Sequence, residues 1–448
     1  MRAGHGPLAV FALVALVWVA WAELAAAGGP RRCPGVGQYP PIPGCSMVDH
    51  DLDEEPAADC PSELCPDNPC NPWEQFWVRM DYVGWWTNGV RLPPLVTTSP
   101  LGTSQTEAGV LGEPGTTILF GDTTVGDQFR SGIWARAGAW LDRCGTWGLE
   151  GDYLAGFEQS GAYDSGPLAD RPIVARPYFD VLPRDPNGQP IPGDVPRQAA
   201  QLISYPDLIE GRLRIDYHDF FQSAGIWGRY NLCCCDCDPC GSCWGSWAWR
   251  VDLIGGYRYY GLSDRIAFRE DLVAGPLSPE PGTRFVIEDQ FRARNDFHGG
   301  ELGLVTQVVR GRWVLEVLTK VALGNNHQTV NVDGRTSITR PDQPTDTYEG
   351  GIYALRTNVG TYERDSFVVI PQLGVELGYR WTQHLRTFVG YNILYWGTVV
   401  RAADQIDVNL DTANFPPTVD PALPFPTFPG QSSSFWAQGI NLGGELRF

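Results

Sequence analysis

The densest group of reactive side chains in the 448-residue chain is a cysteine cluster, CCCDCDPCGSC. Its thiols belong to Cys233, Cys234, Cys235, Cys237, Cys240 and Cys243. The Cys-x-x-Cys-x-x-Cys spacing of the last three would let one loop direct two or three thiolates at a zinc ion or an iron–sulfur cluster. In an exported protein, however, thiols oxidise, so disulfides are the favoured interpretation, with a metal site and free thiols as alternatives.

A second candidate is the pair Asp216 and His218, which lie two residues apart and so on one side of an extended strand. A carboxylate beside an imidazole can activate water. No G-x-S-x-G elbow accompanies the pair, however, and the chain has only 6 His. A salt link between Asp216 and Arg212 or Arg214 is therefore the favoured interpretation, and we expect neither enzymatic activity nor a cofactor.

The elements that must position these residues are β-strands of a particular type. In the last stretch, FWAQGINLGGELRF, alternate residues from Trp436 to Phe448 are mostly apolar, whereas Glu445 and Arg447 lie on the other face. An apolar face with aromatic ends and a polar face opposite are typical of a strand with lipid outside and a polar lumen inside. The stretch Trp247–Tyr259 repeats this pattern. A strand that ends on an aromatic residue resembles the targeting signal of outer-membrane barrels, so we expect Phe448 to address the barrel assembly machinery.

The connections between such stretches alternate in length. The short ones cover residues 142–146, 309–312 and 381–385, and the long ones cover 88–128, 159–207, 339–365 and 401–433. Short periplasmic turns and long extracellular loops then give roughly 12 strands, with an error of about two. We predict an all-β fold, a transmembrane antiparallel up-and-down β-barrel, over a soluble β-sandwich, which has no reason to alternate its loop lengths. This count takes 212–218 as one strand and assigns a further short strand that ends near Leu232, and it places the cysteine cluster outside the cell.

The strand assignment also predicts which charged side chains line the barrel lumen. Both signs of charge are interspersed in this set: Arg79, Asp81, Arg136, Glu150, Asp152, Arg212, Arg214, Asp216, Arg250, Asp252, Arg258, Glu301, Arg312, Glu316, Lys320, Glu376, Arg380, Arg386, Glu445 and Arg447. Opposite charges could pair across a narrow lumen and partly close it, or they could line a small polar path. The sequence leaves both outcomes open.

The N-terminal region predicts export. An apolar run from Leu8 to Ala22 follows Arg2, and small residues come after it, so residues 1–27 are interpreted as a signal peptide. Residues 28–72 are rich in Pro, Cys and acidic residues and are interpreted as a disordered linker, which leaves 73–448 for the barrel. The net charge of −19 and the lack of a basic run argue against nucleic acid as a partner.

Several segments together resemble the putative beta-barrel porin 7 family of bacterial outer-membrane proteins. They include VRMDYVGWWTNGVRLPPLVTTSP, GVLGEPGTTILFGD, WLDRCGTWGLEGDYL, NDFHGGELGL, KVALGNN and LGYRWTQHLRTFVGYNILYWGTVVRAADQID. The resemblance runs from about Trp77 to Phe448 and leaves out the cysteine-rich segments. It implies a barrel in the bacterial outer membrane and no particular substrate.

Two functions follow as expectations. The first is a porin-like passive channel for small polar solutes or ions, embedded in outer-membrane lipid. The alternative is a plugged structural or surface-display barrel whose cysteine-rich loops crosslink neighbours in the envelope, which would make the chain a homo-oligomer.

Overall fold

A computed structural model describes residues 75–448, except 143–144, 157, 167–172, 185–189, 192–194, 236–247 and 418–422. The predicted signal peptide and linker, and Cys237, Cys240 and Cys243 of the cluster, lie outside the described residues. Within the described chain, no helix is long and apolar enough to cross a membrane.

Ten strands of the described chain form one closed antiparallel ring. They are β1 (Phe76–Thr87), β2 (Arg130–Trp140), β3 (Trp147–Gly156), β4 (Ile209–Cys235), β5 (Ala248–Ala274), β6 (Arg284–Arg310), β7 (Trp313–Thr339), β8 (Gly360–Arg380), β9 (Leu385–Val399) and β10 (Ser433–Arg447). Each strand pairs with the next along the chain, and β10 pairs with β1. The predicted up-and-down β-barrel is confirmed, with a ring of ten strands, within the error of the expected number.

The ring closes at the two ends of the described chain. Phe76 and Phe448 exchange two backbone hydrogen bonds of 2.9 Å, each donating its N–H to the other's carbonyl oxygen. Further along the same seam, a Cβ at Gly439 would lie 2.1 Å from the carbonyl oxygen of Gly84, so only glycine lets β10 pass β1 at this distance. The last strand therefore leaves no open sheet edge in the ring.

The three shortest connections, β2–β3, β6–β7 and β8–β9, lie at one end of the barrel, named here the short-turn end. Asp142 organises the β2–β3 turn, because its Oδ1 accepts the N–H groups of Thr146 (2.7 Å) and Trp147 (3.0 Å). The β6–β7 turn needs only two residues, one of which is Gly311 with φ of 56°. The β1–β2, β3–β4, β5–β6, β7–β8 and β9–β10 connections leave the opposite end, named here the loop end.

The strand count that placed the cysteine cluster at the end of the long loops is wrong. The sequence interpretation divided Ile209–Cys235 into two strands, but it is a single strand of 27 residues. Because β4 is one strand and not two, the connection between β4 and β5 lies at the opposite end of the barrel from the one that the sequence predicted. Tyr230 of β4 pairs with Trp147 beside the β2–β3 turn, and Ala248 of β5 pairs with Val309 beside the β6–β7 turn. The strand ends that bracket residues 236–247 therefore lie at the short-turn end.

A band of outward apolar side chains surrounds the part of the ring nearest the short-turn end, which is called the lower part from here on; the loop end is the upper part. Aromatic pairs border it at the short-turn end, with ring centroids 4.4 Å apart for Trp147 and Tyr230 and 5.0 Å apart for Trp313 and Tyr379. Phe367, 73% exposed, lies at the upper border. On β1 the band runs from Phe76 to Trp86, which matches the ~9–11 residues a tilted strand needs to cross a bilayer.

The long connections fold together into a cap at the loop end. Its elements are the strands Val90–Arg91, Val96–Thr98, Thr117–Phe120, Thr124–Val125, Gln159–Asp164, Val174–Asp180, Arg197–Ser204, Thr345–Glu349 and Asn409–Leu410 and the 3-10 helices Ala403–Gln405 and Thr412–Asn414. Four of these strands form a sheet that Asn409–Leu410 joins, while Gln159–Asp164 and Thr345–Glu349 extend the barrel wall. Segments that are far apart in sequence thus form one unit.

We predict that the loop end and the short-turn end face opposite sides of the membrane. A biotin-acceptor peptide inserted into the β5–β6 connection, residues 275–283, should be labelled on intact cells that produce the protein in their outer membrane. The same peptide inserted at Gly311 should be labelled only after the membrane is permeabilised. Labelling of the Gly311 insertion on intact cells would contradict this orientation.

Candidate functional site in the barrel interior

The inside of the barrel is occupied by three successive layers of side chains. The layer nearest the short-turn end is charged, and these interior groups are all buried: Arg79, Asp81, Arg136, Glu150, Asp152, Arg229, Arg250, Asp252, Arg258, Glu301, Glu316, Lys320, Glu376, Arg386 and Glu445. They come from every one of the ten strands. Period-two alternation places them inside because the same strands turn apolar residues to the lipid.

Arg79 is the centre of one half of this charged layer. Its guanidinium contacts Asp81 on its own strand (3.2 Å), Glu316 on β7 (3.3 Å) and Glu376 on β8. Its carbon atom Cζ also lies 3.6 Å from the ring centroid of Phe388. Since β1 is separated from β7 by three strands around the ring, these bonds cross the lumen and do not follow its wall.

Arg136 completes this half of the layer. Its Nη2 lies 2.6 Å from Asp81 and 3.1 Å from Glu376, so each of these carboxylates binds two arginines. Asn441 donates to the same two carboxylates, at 3.1 Å and 3.0 Å. A carboxylate oxygen accepts two hydrogen bonds readily, and this sharing pairs the buried charges of both signs, although the Nε of Arg136 has no hydrogen-bond partner.

Arg258 and Arg229 organise the other half. Arg258 bonds Asp152 (2.7 Å) and Glu301 (2.8 Å), and Lys320 reaches the same Glu301 (3.2 Å). Arg229 links Glu150 (3.1 Å) and Asp252 (2.6 Å). The two halves together place paired charges across this section of the barrel.

The middle layer is aromatic and apolar. Its members lie on opposite walls and meet across the lumen: ring centroids are 5.2 Å apart for Phe221 on β4 and Phe435 on β10, and 6.1 Å apart for Tyr260 on β5 and Trp396 on β9. Trp396 has no exposed surface. Dispersion contacts and loss of water-exposed surface stabilise this layer.

The third layer is formed where the cap enters the upper barrel. Arg176, in Val174–Asp180, is fully buried, donates to Glu270 on β5 (2.6 Å) and forms an ion pair with Asp289 on β6 (2.9 Å). The hydroxyl of Tyr353 donates to the carbonyl oxygen of Pro177 (2.7 Å), and burial raises the pKa of Tyr353 to about 12. These bonds attach the cap to the inner wall of the barrel.

Three of the predicted lumen residues face outward instead. Arg212, Arg214 and Asp216 lie on the outer face of β4, where Arg212 pairs with Asp164 and Arg214 pairs with Asp216 (2.9 Å). The alternate residues of this part of β4, such as Leu213, are buried against the cap. Above the lipid band the polarity of the two faces is thus reversed, because the outside meets water and the inside meets an apolar cap.

The other predicted lumen residues lie on or near the inner face. Arg380 and Arg447 are half-buried at its lower rim, and Arg312 lies exposed in the β6–β7 turn. Sequence reasoning missed one central residue, Arg229. The alternation along the strand could have identified it. Arg229 shares a face with Trp227 in the lower half of β4, and the apolar residues Ile226 and Tyr230 lie on the other, exposed face.

The two candidate reactive sites of the sequence have different outcomes. The predicted salt link of Asp216 to Arg214 is present, while His218 Nδ1 lies 2.9 Å from Glu158 on the outer face. Among the residues that the structure describes, no three His, Cys, Asp or Glu side chains are grouped to hold a metal ion. The side chains of Cys233, Cys234 and Cys235 are not described, so the disulfide and metal interpretations of the cluster stay predictions.

We predict that Glu376→Ala destabilises the folded barrel, because the change leaves Arg79 and Arg136 with one fewer buried partner. Removal of one partner from a buried ion pair costs about 3–5 kcal/mol. The temperature at which the folded band is lost on gels in SDS should fall clearly. Glu349→Ala, at an exposed carboxylate, is the matched control and should leave that temperature unchanged. Equal temperatures for both variants would contradict a stabilising role of the network.

The chain is similar to several solved outer-membrane proteins and to one protein family. The E. coli outer membrane protease OmpT shares 10% identity, with 86% of this chain and 97% of that chain covered and a TM-score of 0.33. The Pseudomonas putida toluene transporter TodX shares 11% identity, with 86% and 93% covered and a TM-score of 0.19. No curated protein matches the chain in sequence. The family described as "Putative beta barrel porin-7" matches residues 77–448, which is nearly the whole described barrel. The chain therefore belongs to this beta barrel porin-7 family, as its sequence motifs indicated.

Proposed function

We propose that this protein is a closed barrel of the bacterial outer membrane that serves as a structural anchor in the envelope. The observation that carries the proposal is the filling of the interior by three layers that each join opposite walls. Paired charges, aromatic rings and a folded cap follow one another along the axis. In a water-filled channel, by contrast, a continuous path lined by solvated groups would run through these layers.

The contacts of the cap also support a closed barrel. Its apolar residues share one buried cluster with the upper barrel wall, where Val174, Ile203 and Tyr353 contact residues of β4 to β7. To open a path, the cap would have to expose this cluster to water, at a cost of about 25 cal/mol for each Å² of apolar surface. It would also break buried pairs such as Arg401 with Asp264 (3.1 Å).

The positions of the cysteines support an anchoring role. The chain has 12 Cys. Five lie before β1, one lies in the β2–β3 turn, and six run from the end of β4 towards β5. The described strand ends next to all three groups lie at the short-turn end, which by the usual polarity of such barrels faces the periplasm. Crosslinks through these thiols would therefore join neighbours on the inner side of the membrane, in place of the outer side expected from the sequence.

The second candidate is a passive channel for small polar solutes, which the description of the family as a porin favours. It requires that the cap and the aromatic layer move aside. The two candidates make different predictions for electrical conductance and for thiol chemistry.

We predict that the refolded, heat-modifiable protein produces no stable conductance steps in a planar bilayer. A variant with Tyr260→Ala and Trp396→Ala, which thins the aromatic layer, tests whether the cap and the charged layer suffice to keep it silent. Steady steps from the unmodified protein, with an ion selectivity that changes in Glu376→Gln, would establish a pore through the charged layer and exclude the closed barrel.

We also predict oligomers that are sensitive to reduction. Cells treated with an alkylating agent before lysis should yield higher-mass species on non-reducing gels, and these species should disappear with dithiothreitol. They should also be lost in Cys240→Ser with Cys243→Ser, whereas Ser278→Ala, at the loop end, should retain them. A protein that is monomeric on non-reducing gels would contradict the crosslinking part of the proposal.

A further inference from the structure

The outer face of β4 to β7 above the lipid band holds many arginines, although the chain as a whole has a net charge of −19. Most of them are neutralised locally. Arg269 and Arg335 both bind Glu288, and Arg284 binds Asp271. Such pairs are what an exposed wall of a water-facing sheet is expected to contain.

Two arginines depart from this pattern. Arg265 on β5 and Arg292 on β6 lie directly opposite each other in the sheet register. Neither forms an ion pair with any residue in the part of the chain that the structure describes. Arg292 donates to Gln290 Oε1 (3.2 Å), and the buried Nε of Arg265 has no hydrogen-bond partner. Like charges placed opposite each other across a sheet destabilise it, unless an anion binds both.

The pair lines a depression of about 350 Å³ on the outer wall. His218 and Arg294 lie at its sides, and they are held by Glu158 (2.9 Å) and Asp296 (2.6 Å). Phe220, Ser263, Thr329 and Asn331 add one apolar and three neutral polar groups.

Two further carboxylates, Asp219 and Asp264, reach this depression from the interior. Asp219 binds Arg130 (2.6 Å), and Asp264 binds Arg401 (3.1 Å). Three of the carboxylates at the depression, Asp219, Asp264 and Asp296, therefore already have an arginine partner, and Glu158 is hydrogen-bonded to His218. The two opposed guanidinium groups remain available for an anion from outside.

The height of the pair above the lipid band narrows the kind of anion. Tyr259 and His298 are opposed in register, and Phe367 lies two strands further along the same row, at the upper border of the band. Arg265 and Arg292 lie six residues above that row. At ~3.3 Å per residue and a tilt of ~35–45°, this is roughly 15 Å of height. The headgroup zone of an ordinary bilayer is only about 5–8 Å deep on each side.

We propose that Arg265 and Arg292 bind a phosphate group on the saccharide headgroup of a membrane glycolipid in the outer leaflet. A guanidinium group forms two parallel hydrogen bonds with phosphate oxygens, so two opposed arginines can bind one phosphate from both sides. A saccharide headgroup raises its phosphates above the acyl chains to the height of the pair, and the acyl chains would lie along the outward apolar band below. The site requires the loop end to face outward, and it does not depend on whether the barrel conducts.

The test is binding of a purified, phosphorylated lipopolysaccharide to the full-length protein in detergent micelles, measured by titration and by native mass spectrometry. Arg265→Gln with Arg292→Gln should weaken binding by about tenfold or more, since two charge-assisted contacts to phosphate are lost. The matched control is Arg269→Gln with Arg335→Gln. It removes the same charge from the same wall, at residues already paired with Glu288, and should stay within about twofold of the unmodified protein. A folded band that resists SDS at room temperature shows that each variant is intact.

Three further arms identify the ligand. Removal of the phosphates from the lipopolysaccharide should weaken its affinity for the unmodified protein. The affinity should fall at least to that of the intact glycolipid for the double variant. Equal affinity for phosphatidylglycerol would overturn the saccharide part of the proposal. Tight binding of inorganic phosphate alone, lost in the double variant, would overturn the lipid as its source. Unchanged glycolipid binding by Arg265→Gln with Arg292→Gln would overturn the site itself.

Discussion

The structure depends on one constraint: inside a membrane-spanning barrel, each buried charge must find a partner of opposite sign. Arg79 meets this requirement through Asp81, Glu316 and Glu376, which lie on three different strands. The closed ring satisfies the hydrogen bonds of the backbone, so the side chains alone determine the structure of the interior. With both signs present in similar number, the charges join across the lumen and do not line it. The bonds of Arg79 to the opposite wall are a consequence of this pairing.

The same constraint explains the reversal of polarity along β4 to β7. In the lipid band, apolar side chains point out and charges such as Arg258 point in, where other strands supply carboxylates. Above the band the outside is water, and the interior is filled by the cap, so Ile266 and Phe268 of β5 point in. One strand therefore serves two environments without a break. The cap allows this change, because its own apolar residues require the same cluster.

The lower half of the barrel could be predicted from sequence and the upper half could not. Alternation in β1 and β10 identified their lipid-facing residues, since lipid and a polar interior impose a strict period of two. The same template failed at Arg212, because it equates charge with the interior, and above the lipid band this is no longer true. It also divided β4, since a strand of 27 residues exceeds any single membrane crossing. The cap joins Val174–Asp180 to Asn409–Leu410, and no local pattern indicates a contact over that separation.

The unequal length of the strands gives the molecule a front and a back. Four consecutive strands, β4 to β7, have 27 residues each, whereas β1, β2, β3, β9 and β10 have between 10 and 15. The long strands rise well beyond the bilayer on one side only, and on the other side the rim is low. A neighbour that approaches from the front meets a tall, hydrogen-bonded wall, and one that approaches from the back meets mainly lipid-facing side chains and the flank of the cap. In a crowded membrane, the orientation of this protein will therefore determine its contacts with a neighbour as much as the distance between the two proteins does.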